Sequence, residues 1–236
     1  HTRYWRDWSS DVCSSDLKEF YKKYYRPDRA TLFLIGDIDI EEAVQYAQAQ
    51  FKDIKAEGSV ERREFPTLIP ELETHRSKIY EDITNPQYCF YWAIPGTKSS
   101  DELTVSVLES ILGYGQAGRL HRILVDEKKI ATSVSVAAVK FMEAGVFLVL
   151  LEPHKGNEAE CEAVVREEIE NIIKNGVHAD EIERIAKNVN RSFFETLQDY
   201  NKFSYSWINS YSSTGDEMRI FKRVNEFYDV SSDAIK

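Results

Sequence analysis

Apolar residues recur at helical spacing through Leu103, Val107, Leu108, Ile111 and Leu112, and the run stops at Gly113. This spacing predicts a helix over residues 102–112. Ser99 and Glu102 stand three apart just ahead of it, as a capping box requires. Gly113 is expected to end the helix in the left-handed conformation that only glycine adopts cheaply. Gly113, Gly115 and Gly118 then form a tight elbow. Leu120, Ile123 and Leu124 mark the buried stripe of a second helix, and Lys128 and Lys129 suit its negative C-terminal end. From Ile130 the period changes to two. Ile130, Thr132, Val134, Val136 and Ala138 alternate with Ser133, Ser135 and other small residues, which predicts a strand. Residues 142–145 are a hairpin-length connection. Residues 146–151 are apolar on both faces and read as a central strand.

The same patterning fills in the flanks. Asn157 and Glu160 open a long helix with Cys161, Val164, Val165, Ile169, Ile172 and Ile173 on its buried face and Gly176 at its end. A longer helix starts near Asp180 and buries Ile182, Ile185, Ala186, Val189, Phe193 and Leu197. Residues 203–211 and 217–227 read as two further helices, and 230–236 as a turn opening another. Upstream, 77–84 and the aromatic run 88–94 read as strands separated by Asn85-Pro86. Strands followed by helices, without strict alternation, predict an α+β fold with a mostly antiparallel sheet and helices packed on one face.

The N-terminal quarter has a different character. In residues 18–26, Phe20, Tyr21, Tyr24 and Tyr25 at helical spacing predict the end of a helix packing its rings on a sheet, stopped by Pro27. Residues 31–35 read as a short buried strand. Asp39 and Glu42 are spaced as a capping box for a helix that buries Ala43, Val44, Ala47 and Phe51. Residues 55–74, with Gly58, Pro66 and Pro70 and no period, read as an interdomain linker. The expected organisation is a leader over 1–17, the end of one domain over 18–54, the linker, and a second domain over 75–236. Both ends look cut. Residues 6–17 resemble a translated sequencing-library adapter, and segments of that kind are set aside before fold reasoning.

Composition narrows the function classes. Thirty Lys and Arg stand against forty Asp and Glu, a formal net charge of −10. That argues against nucleic acid or an anionic membrane as the main partner. No apolar run is long enough to span a bilayer. Cys89 and Cys161, with Cys13 in the leader, are too few for a disulfide framework or a structural zinc site. They fit instead as small hydrophobes in a strand and on a helix.

Residue chemistry nominates no catalytic, substrate-binding or metal-ligating residue. The five histidines are His1, His75, His121, His154 and His178, and no two lie within one helical turn. An H-x-x-E-H zinc helix is therefore absent. His178 has Glu181 three residues on but no second His, and reads as a helix start. His121 reads as a surface or interface residue. Gly113, Gly115 and Gly118 follow a helix, the wrong context for a dinucleotide fingerprint. Glu167-Glu168 and Asp180-Glu181 read as solvated helix positions.

Several strings in order resemble the insulinase/pitrilysin family of zinc metallopeptidases. Phe20-Tyr21, Tyr25-Arg26-Pro27-Asp28-Arg29-Ala30-Thr31-Leu32 and Gly36-Asp37-Ile38-Asp39 look like the end of that family's first, zinc-carrying domain. Pro95-Gly96, Asp101, Leu108, Ile111-Leu112-Gly113, Gly115, Gly118-Arg119-Leu120, Leu124-Val125, Ile130-Ala131, Gly145-Val146-Phe147, Gly176-Val177, Glu181-Ile182 and Ala186-Lys187 look like the core of its second domain. The resemblance implies a clamshell peptidase that encloses peptides in a chamber. Zinc would sit in the full-length parent, upstream of Lys18, and none is expected on this chain. The implied partners are peptide substrates, the chain's own missing first domain and a homologous second half or subunit. The family's other half offers substrate an Arg and a Tyr. The aligned positions here are Val125 and Thr132, which leaves no such residue to transfer. Arg119 reads as structural, capping the elbow or pairing within the fold. A bacterial periplasmic or secreted setting is compatible with the resemblance. The expected function is the non-zinc wall of an insulinase-like zinc metalloendopeptidase. The alternative is a non-catalytic homologue acting as scaffold or regulatory subunit, like the core proteins of respiratory complexes. A third reading is an α+β binding module unrelated to peptidases.

Overall fold

A computed structural model describes residues 14–56, 76–77 and 87–236. The chain divides into two compact units, residues 1–64 and 65–236.

The second unit is built on a three-stranded antiparallel sheet in the order β1-β3-β2. Its strands are β1 (Tyr88–Pro95), β2 (Ala131–Lys140) and β3 (Ala144–Pro153). The uniformly apolar strand is the central one, as its composition predicts. Phe147, Val149 and Leu151 of β3 point into the core, level with Trp92 and Phe90 of β1 and with Ala138, Val136 and Val134 of β2. The other face is open, and Tyr91, Leu150 and Val139 stand exposed on it. The predicted alternation of β2 also breaks once. A bulge between Ala131 and Ser133 leaves Thr132 out of the ladder, so Ala131 joins Val134 and Val136 on the inner face. An extra residue in one strand of a pair switches faces in this way.

Helices cover the inner face. α3 (Glu102–Gly113) buries Val107, Ile111 and Leu112, and α4 (Arg119–His121) buries Leu120. A π-helical stretch, Arg122–Glu127, continues α4 and buries Leu124. α5 (Glu158–Asn175) contributes Cys161, Val164, Val165 and Ile172, whereas Ile173 is exposed against expectation. α6 (Ala179–Leu197) buries Ile182, Ile185 and Ala186, but its far end opens, with Leu197 exposed. α7 (Tyr200–Thr214), α8 (Arg219–Glu226) and α9 (Ser232–Ile235) complete the unit. Removing side chains of Leu or Ile size from water contributes about 2 kcal/mol each, so this one cluster dominates the unit's stability.

The glycine elbow is tight for a different reason than its pattern suggests. Gly113 does not take the left-handed conformation; among these three glycines only Gly115 does, at φ 52°. A Cβ on Gly113 would lie 2.3 Å from the Cβ of Val136, and one on Gly118 would lie 2.8 Å from the carbonyl oxygen of Leu112. These two glycines let α3 and α4 approach β2 and each other; only Gly115 makes a left-handed turn.

The first unit contains α1 (Ser14–Tyr24) and α2 (Ile40–Phe51). Asp39 caps α2 by accepting the Glu42 amide at 2.9 Å, as its spacing predicts. Burial is corrected throughout. Phe20, Tyr21, Tyr24 and Tyr25 are exposed and meet in pairs, Phe20–Tyr24 tilted with centroids at 4.6 Å and Tyr21–Tyr25 stacked at 4.9 Å. Rings four residues apart on a helix are neighbours whether or not a sheet lies beneath them. Residues 31–35 form no ladder among the described residues, and Leu32 and Leu34 are exposed. Val44 and Phe51 of α2 are exposed too. The leader over 1–13, the linker over 57–74 and the strand over 78–84 lie outside the described residues, and α1 begins inside the last four residues of the expected leader. Among the described residues no helix is long and apolar enough to cross a membrane.

Candidate functional site

Two buried charge clusters flank α3, and both use residues whose spacing suggested something simpler. Ser99 and Glu102 do not close a capping box. The Ser99 hydroxyl accepts the Asp101 amide at 3.2 Å, while Glu102, only 3% exposed, turns inward. Its Oε1 accepts Lys140 Nζ at 2.6 Å and lies 3.0 Å from Arg223 Nη2, and its Oε2 lies 3.7 Å from Arg219. Ser106, one turn on, donates to the Glu102 carbonyl oxygen at 3.1 Å and accepts from Arg223 at 2.9 Å. Lys140 also reaches the Ser106 hydroxyl. One carboxylate is thus shared by three cations from β2 and α8. Burial alone would raise the Glu102 carboxyl. Arg223, Lys140 and the Ser106 hydroxyl outweigh it and hold the group below its ordinary value.

The second cluster inverts that charge pattern. Arg119, first residue of α4, forks onto Glu181 with Nε at 2.7 Å and Nη2 at 2.5 Å. Its Nη1 donates to Glu168 at 2.7 Å. Two-point contact of a guanidinium with a carboxylate fixes direction as well as distance. Hydrogen bonds from Arg119 to Glu181 and then Glu168 push the guanidinium above its already high value, against the opposing effect of burial. Burial would raise Glu181, but Arg119 and the His178 amide hold it low. That amide donates to Glu181 Oε2 at 3.0 Å, so His178 does start α6. Glu168 and Glu181 are therefore inward-facing partners of Arg119, which corrects their reading as solvated positions. Arg119 pairs within the fold and ties α4 to α5 and α6.

Cavities adjoin the Glu102 cluster. One of about 420 Å³ is lined by Ser106, Glu109, Ser110, Lys140 and Arg223. Another of about 390 Å³, against α7 and α8, is lined by Glu102, Arg219, Arg223, Ser206, Asn209 and Ser210. Arg219, Arg223 and Lys140 carried no signal in the sequence, because α8 and the end of β2 are far from Glu102 along the chain.

The remaining chemistry-bearing residues are scattered. Cys161 is buried with Sγ 3.5 Å from the Ile130 carbonyl oxygen, whereas Cys89 is exposed on β1, contrary to its reading as a small core residue. His154 is exposed. His121 is not a plain surface residue. Its Nδ1 is buried without a hydrogen-bond partner among the described residues, 3.5 Å from Asp126 Oδ2. His75 lies outside the described residues. Among the described residues no three His, Cys, Asp or Glu side chains are grouped to hold a metal ion. These donors do not fit a zinc site. Val125 is half-buried in the π-helical stretch, and Thr132 is exposed in the β2 bulge.

Comparison with known proteins agrees with this architecture. Residues 12–189 match the peptidase M16 inactive domain. The zinc protease PqqE of Helicobacter pylori is 21% identical over 189 residues, covering 78% of this chain and 42% of that protein. Protein HypA of Clostridium perfringens is 27% identical over 198 residues, covering 80% of this chain and 20% of that protein. The chain therefore spans less than half the length of these relatives. Among solved structures, a Helicobacter pylori protease superposes with a TM-score of 0.79 at 19% identity, covering 95% of this chain and 55% of that one. A peptidase M16 inactive domain from Pseudomonas fluorescens gives 0.72 at 15% identity, covering 96% and 54%. At such identities the structures speak for the fold, and the match over 12–189 speaks for the family. The chain belongs to the insulinase/pitrilysin peptidases, the M16 family, as its inactive domain.

Proposed function

We propose that this chain is the non-zinc part of an insulinase-like zinc metalloendopeptidase and walls the chamber in which a zinc-bearing neighbour hydrolyses peptides. The observation that carries this reading is the match of residues 12–189 to an inactive domain of that family. Relatives named zinc proteases support zinc in the parent protein. The open sheet face, with Tyr91, Leu148 and Leu150, is the kind of surface a chamber wall would present to an extended peptide. The exposed apolar side chains of α1 and α2 support reading residues 18–54 as the end of a larger, zinc-bearing domain.

In such a parent, zinc would activate water, with a glutamate as general base. Every residue of that chemistry would belong to the neighbour. The test is to express this chain alone and joined to the gene segment that precedes Lys18, together with the homologous half, and to follow cleavage of a fluorogenic peptide. Zinc-dependent cleavage is expected only from the joined protein. Proteolysis by the chain alone overturns the proposal. An upstream segment without H-x-x-E-H replaces it with the scaffold or regulatory reading.

A further inference from the structure

The cavity between α7, α8 and the start of α3 has features that the wall role does not use. Its charged lining is two guanidiniums, Arg219 and Arg223, and one carboxylate, Glu102. Glu102 is already shared with Lys140 behind it. Arg219 leans on Glu226, at the far end of α8 and 38% exposed at its side chain. Across the cluster, Lys140, Arg219 and Arg223 face Glu102 and Glu226, a surplus of one positive charge. Arg223 spends Nη2 on Ser106 and Glu102 and lays its guanidinium over the Phe227 ring at 5.7 Å, which leaves Nε and Nη1 without a hydrogen-bond partner among the described residues. Around the guanidiniums, Ser206, Asn209 and Ser210 bring two hydroxyls and an amide whose polar atoms have no hydrogen-bond partner among the described residues. The neighbouring cavity shares Arg223 but adds the Glu109 carboxylate, so it offers no comparable surplus.

We propose that this α7–α8 cavity binds the oxyanion group, carboxylate or phosphate, of a small polar molecule. Glu102 holds Arg223 in place, while Arg219 and the unused donors of Arg223 face the anion. Guanidinium forks match both carboxylate and phosphate geometry. The hydroxyls and the Asn209 amide satisfy the rest of the ligand. A volume near 390 Å³ sits at the lower end of the range for small-molecule sites. The inference does not depend on the peptidase reading, since binding is measured with no zinc and no cleavage.

The test is calorimetric titration of the whole chain with inorganic phosphate, against chloride at matched ionic strength. A second arm uses N-acetyl-glycyl-glycine as the free acid, against its amide. Saturable binding in the millimolar range is expected in at least one arm. Phosphate alone would indicate a phosphorylated molecule, and the free acid alone the carboxyl terminus of a short peptide. Arg219→Gln should weaken that binding at least tenfold. Asn209→Ala, which touches no ion pair, should weaken it severalfold with the melting temperature unchanged, so the test survives if the arginine variant misfolds. No saturable binding beyond chloride in either arm overturns the proposal. So does binding that both substitutions leave intact.

Discussion

The Arg119 and Glu102 clusters use the same kinds of residue in opposite proportions. At Arg119 one cation sits between two carboxylates, and all three of its nitrogens donate to them. It is a closed joint. At Glu102 one carboxylate sits among three cations, with donors left over and a cavity against it. Burying charge costs several kcal/mol per ion unless each is paired and hydrogen-bonded. The first cluster meets that condition internally, so its role is to lock helices. The second meets it for the anion but not for every cation, and unmet cationic donors beside a cavity make a binding surface.

The largest effect should come from Glu102→Ala. It leaves Lys140, Arg219 and Arg223 crowded in a site where Lys140 is only 11% exposed at its side chain. Breaking a buried pair from one side costs about 3–5 kcal/mol, read as a drop in the urea midpoint. Arg119→Ala should follow at about 3 kcal/mol, since Glu168 and Glu181 keep 12% and 18% side-chain exposure and can relax toward water. If Arg119→Ala proves the costlier, the joint rather than the cavity cluster holds the fold.

Gly113→Ala tests the elbow separately. Its Cβ would collide with the Val136 side chain, and forcing extra atoms into a packed core costs about 1–3 kcal/mol. Had the left-handed reading been right, glycine would be required at 113 for its φ and alanine would strain only the turn. Gly115→Ala meets open space at φ 52° and should cost about 1 kcal/mol. A larger loss at 115 than at 113 would overturn the close-packing account of Gly113.

These cases show what the residue pattern could and could not reveal. A period-two run located β2 and period-3.6 runs located α3, α5 and α6, because each of these elements buries one face and the burial is written in its own spacing, while the aromatic run of β1 and the uniformly apolar run of β3 marked the other two strands. The family strings did the same for the architecture. Partners distant in sequence were not legible. Glu102 satisfied a local rule with Ser99, and nothing nearby revealed that Lys140, 38 residues on, and Arg223 would claim it. Gly113 does end α3, but the left-handed cap expected there was wrong, because what requires glycine is the close approach of Val136 from another element. In the first unit the pattern promised burial for Tyr21, Leu34 and Phe51, but periodicity shows only that a face is apolar, not that something covers it.

Acid should discriminate less sharply between the clusters. Glu102 and Glu181 are both held below their ordinary value of 4.5 in the folded chain. The unfolded chain therefore takes up protons first as the pH falls. The stabilisation is complete above about pH 5 and drains away as the pH drops through 4 and below. A melting temperature that is flat down to pH 5 and falls beneath it is expected. Glu102→Gln and Glu181→Gln should each flatten part of that fall, and a profile unchanged by both would remove these carboxylates from the account.

Glu226→Gln should have the smallest effect on stability and the most informative effect on the comparison. The Glu226–Arg219 pair is partly exposed, and such pairs contribute about 0–1 kcal/mol. Neutralising Glu226 nevertheless removes the nearest competitor for Arg219. Two unit charges a few ångströms apart near a surface interact by about 1 kcal/mol or more, so the oxyanion probe that binds should bind about fivefold tighter. A joint and a binding surface respond to this change in opposite ways. If the cluster existed only to hold α8 in place, losing Glu226 would lower stability and leave anion affinity where it was. Tighter binding at near-constant stability is the signature of a site whose positive charge is kept partly in reserve.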